Sequence, residues 1–298
     1  CGACSLQHWA DAPYAAWKRG LLLEALARAG FPDAPVGPLA RTPPGARRRA
    51  DFALARGRDG VVEIGFHARG AAEVVALHRC LVLAPPLVAL LAPLAAALRG
   101  VQGLRRVGGA LVNLLDTGPD VLLRTDGALT LHDRQRLAAF AEAEGIARIA
   151  WQGPKGPAET AVQLRPVRHR LAGVEIAPPP GAFLQASAEG EAAITAAVLA
   201  GLPEKLGPRA RIADLYAGLG TLSLPLAARG VVRAFEGEAG AVAALAGAHP
   251  RVQAERRDLA RQPLLPAELK GFAAVVLDPP FAGAAEQVAQ IARSTVGR

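Results

Sequence analysis

The chain contains no methionine, no cleavable signal pattern and very little lysine. It opens on Cys1, which is not how translation begins, so the sequence reads as a processed product or a piece of a longer protein. Lysine occupies 4 positions and arginine 30. That imbalance qualifies the net charge of +8 and the pI of about 10.2: a basic protein suits a polyanionic partner such as nucleic acid, but an arginine bias of genomic origin would give the same total. Charge alone leaves nucleic-acid binding open. One stretch, Cys80 to Leu98, lacks charged residues and is about long enough to span a bilayer. Pro85, Pro86 and Pro93 lie in it, and adjacent prolines near its start would break a spanning helix, so it reads as a loop followed by a buried helix and not as a membrane segment.

What is present suits a globular protein. A length of 298 residues allows two domains with separate cores, and much of the 51% hydrophobic share is alanine, with a mean hydropathy of +0.23. After CGACSLQHW, an amphipathic helix is expected from about Pro13 to Ala29, ended by Gly30 and Pro32, with a proline- and glycine-rich linker to Gly45. ADFALARGRDGVVEIGFH has two alternating runs about a turn and predicts a hairpin. PLVALLAPLAAALRG reads as helix, GGALVNLLDT and DVLLRTDG as a strand pair, LHDRQRLAAFAEAEG as helix and ARIAWQ as strand. These observations predict a cysteine motif and helix in residues 1–30, then an α+β central domain over 31–180 with a largely antiparallel sheet. Past Ala177-Pro178-Pro179-Pro180 the pattern changes. A helix, Ala188 to Ala200, precedes the apolar strands RIADLY, VVRAFE, VQAERRD and FAAVVLDPP, with helical stretches between the first two pairs. That alternation predicts parallel strands with crossovers, so 181–298 is expected to be an α/β, Rossmann-like domain.

In IADLYAGLGTLSLPLA a strand runs into Asp214, and Gly218 and Gly220 then form a tight turn that lets the backbone approach a ligand. Ser223 replaces the third glycine of a dinucleotide fingerprint, and Asp214 would repel pyrophosphate while helping to orient an ammonium group. Glu236 ends the next strand, near the spacing at which an acidic side chain accepts both hydroxyls of a ribose. Asp258 closes a third strand, where it could accept from an adenine amino group, and Asp278-Pro279-Pro280-Phe281 ends a fourth. Singly these residues are ordinary: Asp214 and Asp258 could be helix caps, Glu236 a solvated strand end and the prolines a strand terminator. In order, they point to an S-adenosylmethionine-dependent methyltransferase.

Cys1 and Cys4 form a C-x-x-C pair, and Cys80 is the remaining cysteine. A pair plus a distant single suggests three ligands of a soft-metal site; the spacing does not separate zinc from iron–sulfur, and three unconnected thiols is the plainer alternative. CGACSLQHW, HRCLVLAPPL, GAFLQAS, DLYAGLGTLSLPLA and LDPPFAGAA together resemble the RumA/TrmA-type RNA 5-methyluridine methyltransferases, in the branch carrying a [4Fe-4S] cluster. The resemblance also argues against reading Cys1 as a lipoprotein's first residue. It implies a class I methyltransferase domain, RNA as partner, a cytoplasmic monomer, cluster ligation by Cys1, Cys4 and Cys80 with one more ligand upstream, and cofactor binding by Gln185, Tyr216, Thr221, Glu236, Asp258 and Asp278. Arg47, Arg48 and Arg49 fall on a basic strand of that family, and are otherwise a solvated charge run.

Two features depart from the family. Phe281 stands where a basic residue is usual, so DPPF also resembles methyltransferases acting on amino groups, in which the aromatic ring stacks on a planar substrate. The nucleophilic cysteine, in a Ser-Cys-Asn-Pro segment, would fall beyond Arg298. In the family a thiolate adds to uracil C6, C5 then takes the methyl group, and a base removes the C5 proton. The sequence is thus expected to hold the cofactor, the cluster and part of the RNA surface without the nucleophile; the alternatives are an amino-group methyltransferase and a non-catalytic iron–sulfur RNA-binding protein.

Overall fold

A computed structural model describes residues 2, 4–207 and 209–297. α1 (Asp11–Arg28) forms at the expected place, but none of its residues is fully buried; Tyr14, Leu23 and Leu26 are half-buried. The linker turns back on it through Arg19, whose guanidinium donates to the carbonyls of Val36 and Gly37, and through the Arg41–Asp11 ion pair.

The hairpin of β1 (Arg49–Arg56) and β2 (Val62–His67) is extended at its edge by β3 (Val74–Ala76), a strand too short to show periodicity. The charge-free run divides into α2 (Pro85–Ala89) and α3 (Leu91–Leu98) instead of one helix. Pro93 has no N–H with which to continue the helical ladder. β4 (Val107–Leu115) and β5 (Gly118–Thr125) pair antiparallel, α4 (Leu131–Ala143) crosses, β6 (Arg148–Gln152) runs parallel to β5, and β7 (Glu159–Gln163) completes the sheet. The sheet order is β3-β2-β1-β4-β5-β6-β7, antiparallel at every pairing except β5–β6. Phe52, Leu54, Val121, Leu123 and Trp151 meet Leu87, Leu94, Leu98 and Leu137 of the helices in one core. The uncharged stretch is therefore core-forming, and among the described residues no helix is long and apolar enough to cross a membrane.

A small hairpin, β8 (His169–Leu171) and β9 (Val174–Ile176), leads through a proline-rich segment to α5 (Ala188–Gly201). Then come β10 (Arg211–Leu215), α6 (Ser223–Leu226), β11 (Val231–Glu236), α7 (Ala239–Leu245), β12 (Val252–Arg256), α8 (Pro266–Leu269), β13 (Ala274–Leu277) and α9 (Ala285–Ala292). The four strands are parallel, in the order β12-β11-β10-β13. The chain steps outward from β10 to β11 and β12, then crosses to β13 on the other side. That reversal puts the switch point of the sheet beside β10, and open α/β sheets bind ligands at the carboxyl ends of the strands near such a point.

The seven-stranded unit depends on one buried carboxylate. Asp133 is fully buried at the start of α4 and accepts from the backbone N–H groups of Gln102 (2.6 Å), Gly103 (3.1 Å) and Thr130 (3.3 Å), while the Thr130 hydroxyl accepts from the Asp133 N–H. Asp133→Ala should therefore destabilise the chain by about 2–4 kcal/mol, since it strands buried donors and loses a helix cap. Urea denaturation checks this; a midpoint equal to that of the wild type would show that the loop 99–106 is held by other contacts.

Candidate functional site

β10 carries Asp214 to the carboxyl end of the sheet but not onto its surface. The side chain is buried beneath the turn, where one oxygen accepts from the Ser223 hydroxyl (2.5 Å) and the other has no partner. Burial pushes its pKa up to about 7; the Ser223 hydrogen bond opposes the shift, and the nearby Asp278 and Glu236 carboxylates add to it. From this place under the turn Asp214 holds Ser223 at the start of α6. Tyr216 follows in a left-handed conformation (φ 62°), which costs a non-glycine residue about 1–2 kcal/mol and is typical of strained functional turns. Gly218 (φ 55°) and Gly220 (φ 90°) continue the turn. At Gly220 the positive φ favours glycine, and a Cβ there would also press a methyl of Leu245 on α7 at 2.5 Å.

Glu236, at the end of β11, ties the turn to the next helix. One carboxylate oxygen accepts from the Gly218 N–H and the other from the Glu238 N–H, both at 2.8 Å. A carboxylate offers about four lone-pair sites, so two remain for hydroxyl donors. Glu236 lines a cleft of about 290 Å³ with Gly218, Leu219, Glu238 and Ala241 on one side and Pro179, Pro180, Gly181, Ala182 and Phe183 on the other. Sequence reading treated Ala177–Pro180 as a domain boundary and missed this wall; three consecutive prolines beside a glycine were the available signal.

Asp258 lies exposed two residues past β12 and accepts from the N–H groups of Ala260 and Arg261, a capping geometry. Together with burial, its charge raises the pKa of Tyr216. Asp278 is exposed immediately after β13, and Phe281 beyond it is fully exposed. Gln185 and Thr221 are half-buried, and the Gln185 carbonyl accepts from Arg48. The arginine triplet is not a solvated run. Arg48 is held by the Gln185 carbonyl and Glu191, and Arg49 lies 5.0 Å from the Phe183 ring centre with a buried Nε that finds no partner. Only Arg47 is exposed. Cys4 is exposed and Cys80 half-buried, while Cys1 lies outside the described residues. Among the described residues no three His, Cys, Asp or Glu side chains are grouped closely enough to hold a metal ion.

A parallel sheet with its order reversing at β10, a glycine turn and acidic residues at four strand ends define a Rossmann-like methyltransferase domain. No family model matches the chain. It is 38% identical to an uncharacterised RNA methyltransferase of Brucella suis biovar 1 (strain 1330), over 99% of this chain and 70% of that protein. A 23S rRNA (uracil(1939)-C(5))-methyltransferase, RlmD, of Pseudomonas entomophila (strain L48) is 37% identical over 98% of this chain and 66% of its own length. The fold matches a Pyrococcus abyssi tRNA (uracil-54, C5)-methyltransferase solved with S-adenosyl-L-homocysteine, with a TM-score of 0.71 at 20% identity, covering 100% of this chain and 73% of that one. The chain belongs to this family of RNA methyltransferases.

The buried acid makes stability depend on pH. Asp214 keeps its proton in the folded chain up to about pH 7, whereas an unfolded chain releases it near pH ~4. Its contribution is complete below about pH 4 and is lost as pH rises towards about 7, at up to about 1.4 kcal/mol per pH unit. Asp214→Asn should flatten the fall in melting temperature between pH 5 and pH 7. An unchanged slope would mean that Asp214 is ionised in the folded chain.

Proposed function

We propose that the cleft binds S-adenosylmethionine and that the chain serves the methylation of uridine C5 in ribosomal or transfer RNA, with 181–298 as the cofactor-binding domain and 31–180 as the central domain. The observation that carries this reading is the Glu236 carboxylate beside the Gly218–Gly220 turn, within a field that Asp214 and Asp278 share. Such a site disfavours a pyrophosphate and suits a ligand with a sulfonium and an ammonium group. The bound cofactor supplies an electrophilic methyl group. Glu236 accepts the ribose hydroxyls through its free lone pairs, Asp258 accepts from the adenine amino group, and Asp214 holds the turn from below. Gln185, Tyr216, Thr221 and Asp278 complete the binding set. The RNA target is supported by the uracil-C5 activity named for RlmD relatives. A cytoplasmic location is in keeping with an RNA substrate.

Uridine C5 is a weak nucleophile until a thiolate adds at C6. In this proposal the three cysteines are engaged elsewhere: Cys1, Cys4 and Cys80, with one further ligand, hold a [4Fe-4S] cluster. The donor chemistry of Cys80 fits, because its sulfur accepts the N–H groups of Val82 and Leu83 at 3.4 Å each, bonds that stabilise a ligating thiolate. No cysteine follows Asp278 in this sequence, so residues 1–298 bind the cofactor without providing a thiolate for C6. The full exposure of Phe281 after Asp278-Pro279-Pro280 favours a second reading, transfer to a base amino group. Transfer of labelled methyl from the cofactor separates the two: product at an amino group supports the second reading, and product at uridine C5 from residues 1–298 alone overturns the cysteine assignment.

Titration calorimetry with S-adenosylhomocysteine should detect binding that Glu236→Ala weakens by about 1–3 kcal/mol, the cost of leaving hydroxyl donors unpaired. Equal affinity for the two proteins would remove Glu236 from the site. For the metal, protein prepared anaerobically and reconstituted with iron and sulfide should turn brown, and Cys80→Ser should lose the charge-transfer absorption. Stoichiometric zinc without iron would refute the cluster.

A further inference from the structure

The two walls of the cleft are held in different ways. The wall carrying Glu236 is built on the parallel sheet, whereas the facing wall, Pro179 to Phe183, lies outside every strand and helix. Pro178, Pro179 and Pro180 have no N–H groups, so the first half of this segment donates no hydrogen bonds, and the Ala182 N–H is spent within it on the Pro179 carbonyl at 3.2 Å. Its ties to the rest of the protein run through carbonyls that accept from donors elsewhere. The buried Pro178 carbonyl accepts from the Arg148 guanidinium at 3.0 Å, and the Ala182 carbonyl accepts from the Asn113 side-chain amide at 2.9 Å. Both donors belong to the seven-stranded sheet and are buried. Gly181 completes the seat: a Cβ there would lie 2.6 Å from Leu122 of β5.

Arg148 does more than neutralise a charge. It faces Asp120 in register on the neighbouring strand and forms a forked pair with it, Nε to Oδ1 at 2.7 Å and Nη2 to Oδ2 at 2.9 Å. Burial pushes the Asp120 pKa up despite that partner, so taking this carboxylate out of water is costly. A buried ion pair is a weak source of stability, and apolar residues of the same size often serve as well. What apolar residues cannot replace is the hydrogen bond to Pro178. We propose that Arg148 is a positioning residue of the cofactor cleft, holding the proline-rich wall of the cleft that Glu236 also lines while Asp120 orients its guanidinium. The inference rests on the cleft being the S-adenosylmethionine site.

Two variants separate positioning from structural support. Asp120→Leu with Arg148→Met replaces the pair by apolar groups, and Arg148→Lys keeps the charge but loses the fork. Each should bind S-adenosylhomocysteine at least tenfold more weakly by calorimetry, well below its melting temperature. Amide exchange at Gly181, Ala182 and Phe183 should quicken while the β5 and β6 amides remain protected; a purely structural pair would leave these loop amides unchanged in a folded variant. Wild-type affinity in either folded variant, with Glu236→Ala losing binding, overturns the role of Arg148 and leaves the cleft assignment standing. Absence of binding by the wild type overturns both. If the double variant fails to fold, Arg148→Lys decides by the same two measurements.

Discussion

The Glu236 carboxylate ties together two backbone segments at the carboxyl edge of the parallel sheet. Its oxygens take the Gly218 N–H from the turn after β10 and the Glu238 N–H from the start of α7, so the ends of two parallel strands are locked at their carboxyl edge. Parallel strands leave their edge loops to find their own partners, because the ladder bonds stop with the strand. A charged acceptor serving two amides is a strong solution. It also keeps a carboxylate at the cleft, which is what a positively charged ligand would use.

Around that tie the site divides its labour by burial. Asp214 is withdrawn beneath the turn and held near neutrality, while Asp258 and Asp278 stand exposed at the outer strand ends. The repulsion among them is relieved by protonating the one that water cannot reach. The facing wall contributes no charge. It offers proline rings and one aromatic face, positioned by a sheet that lies in another part of the chain.

The arginines show why a charge total is a poor guide to a nucleic-acid surface. Arg56 donates to the carbonyls of Leu98, Arg99, Val101 and Leu104, Arg165 to Thr117 and Gly145, and Arg257 pairs with Glu268 while bonding Gln262 and Pro263. Arg56 and Arg257 are half-buried, and Arg165, though exposed, also spends its guanidinium on loop carbonyls. The planar fork of donors suits carbonyls at loop ends as well as it suits phosphates.

Local chemistry by itself determined much of this protein. Strand periodicity marked β1, β2, β4 and β5, the apolar runs marked β10 to β13, and spacing alone put the glycine turn, Glu236 and Asp278 at strand ends. These features are legible because a strand pattern, a turn and the residue that ends a strand are all neighbours in sequence. Only the tertiary structure decided that Asp214 is buried under the turn, that Tyr216 is left-handed, and that α1 keeps none of its residues fully buried. It alone turned a proline-rich boundary into the second wall of the cleft, because the donors that hold it, Asn113 and Arg148, lie 69 and 30 residues away from the carbonyls they bind. No local pattern encodes such a bond: its partners meet only when a sheet folded from one part of the chain presents buried donors to the carbonyls of a distant loop.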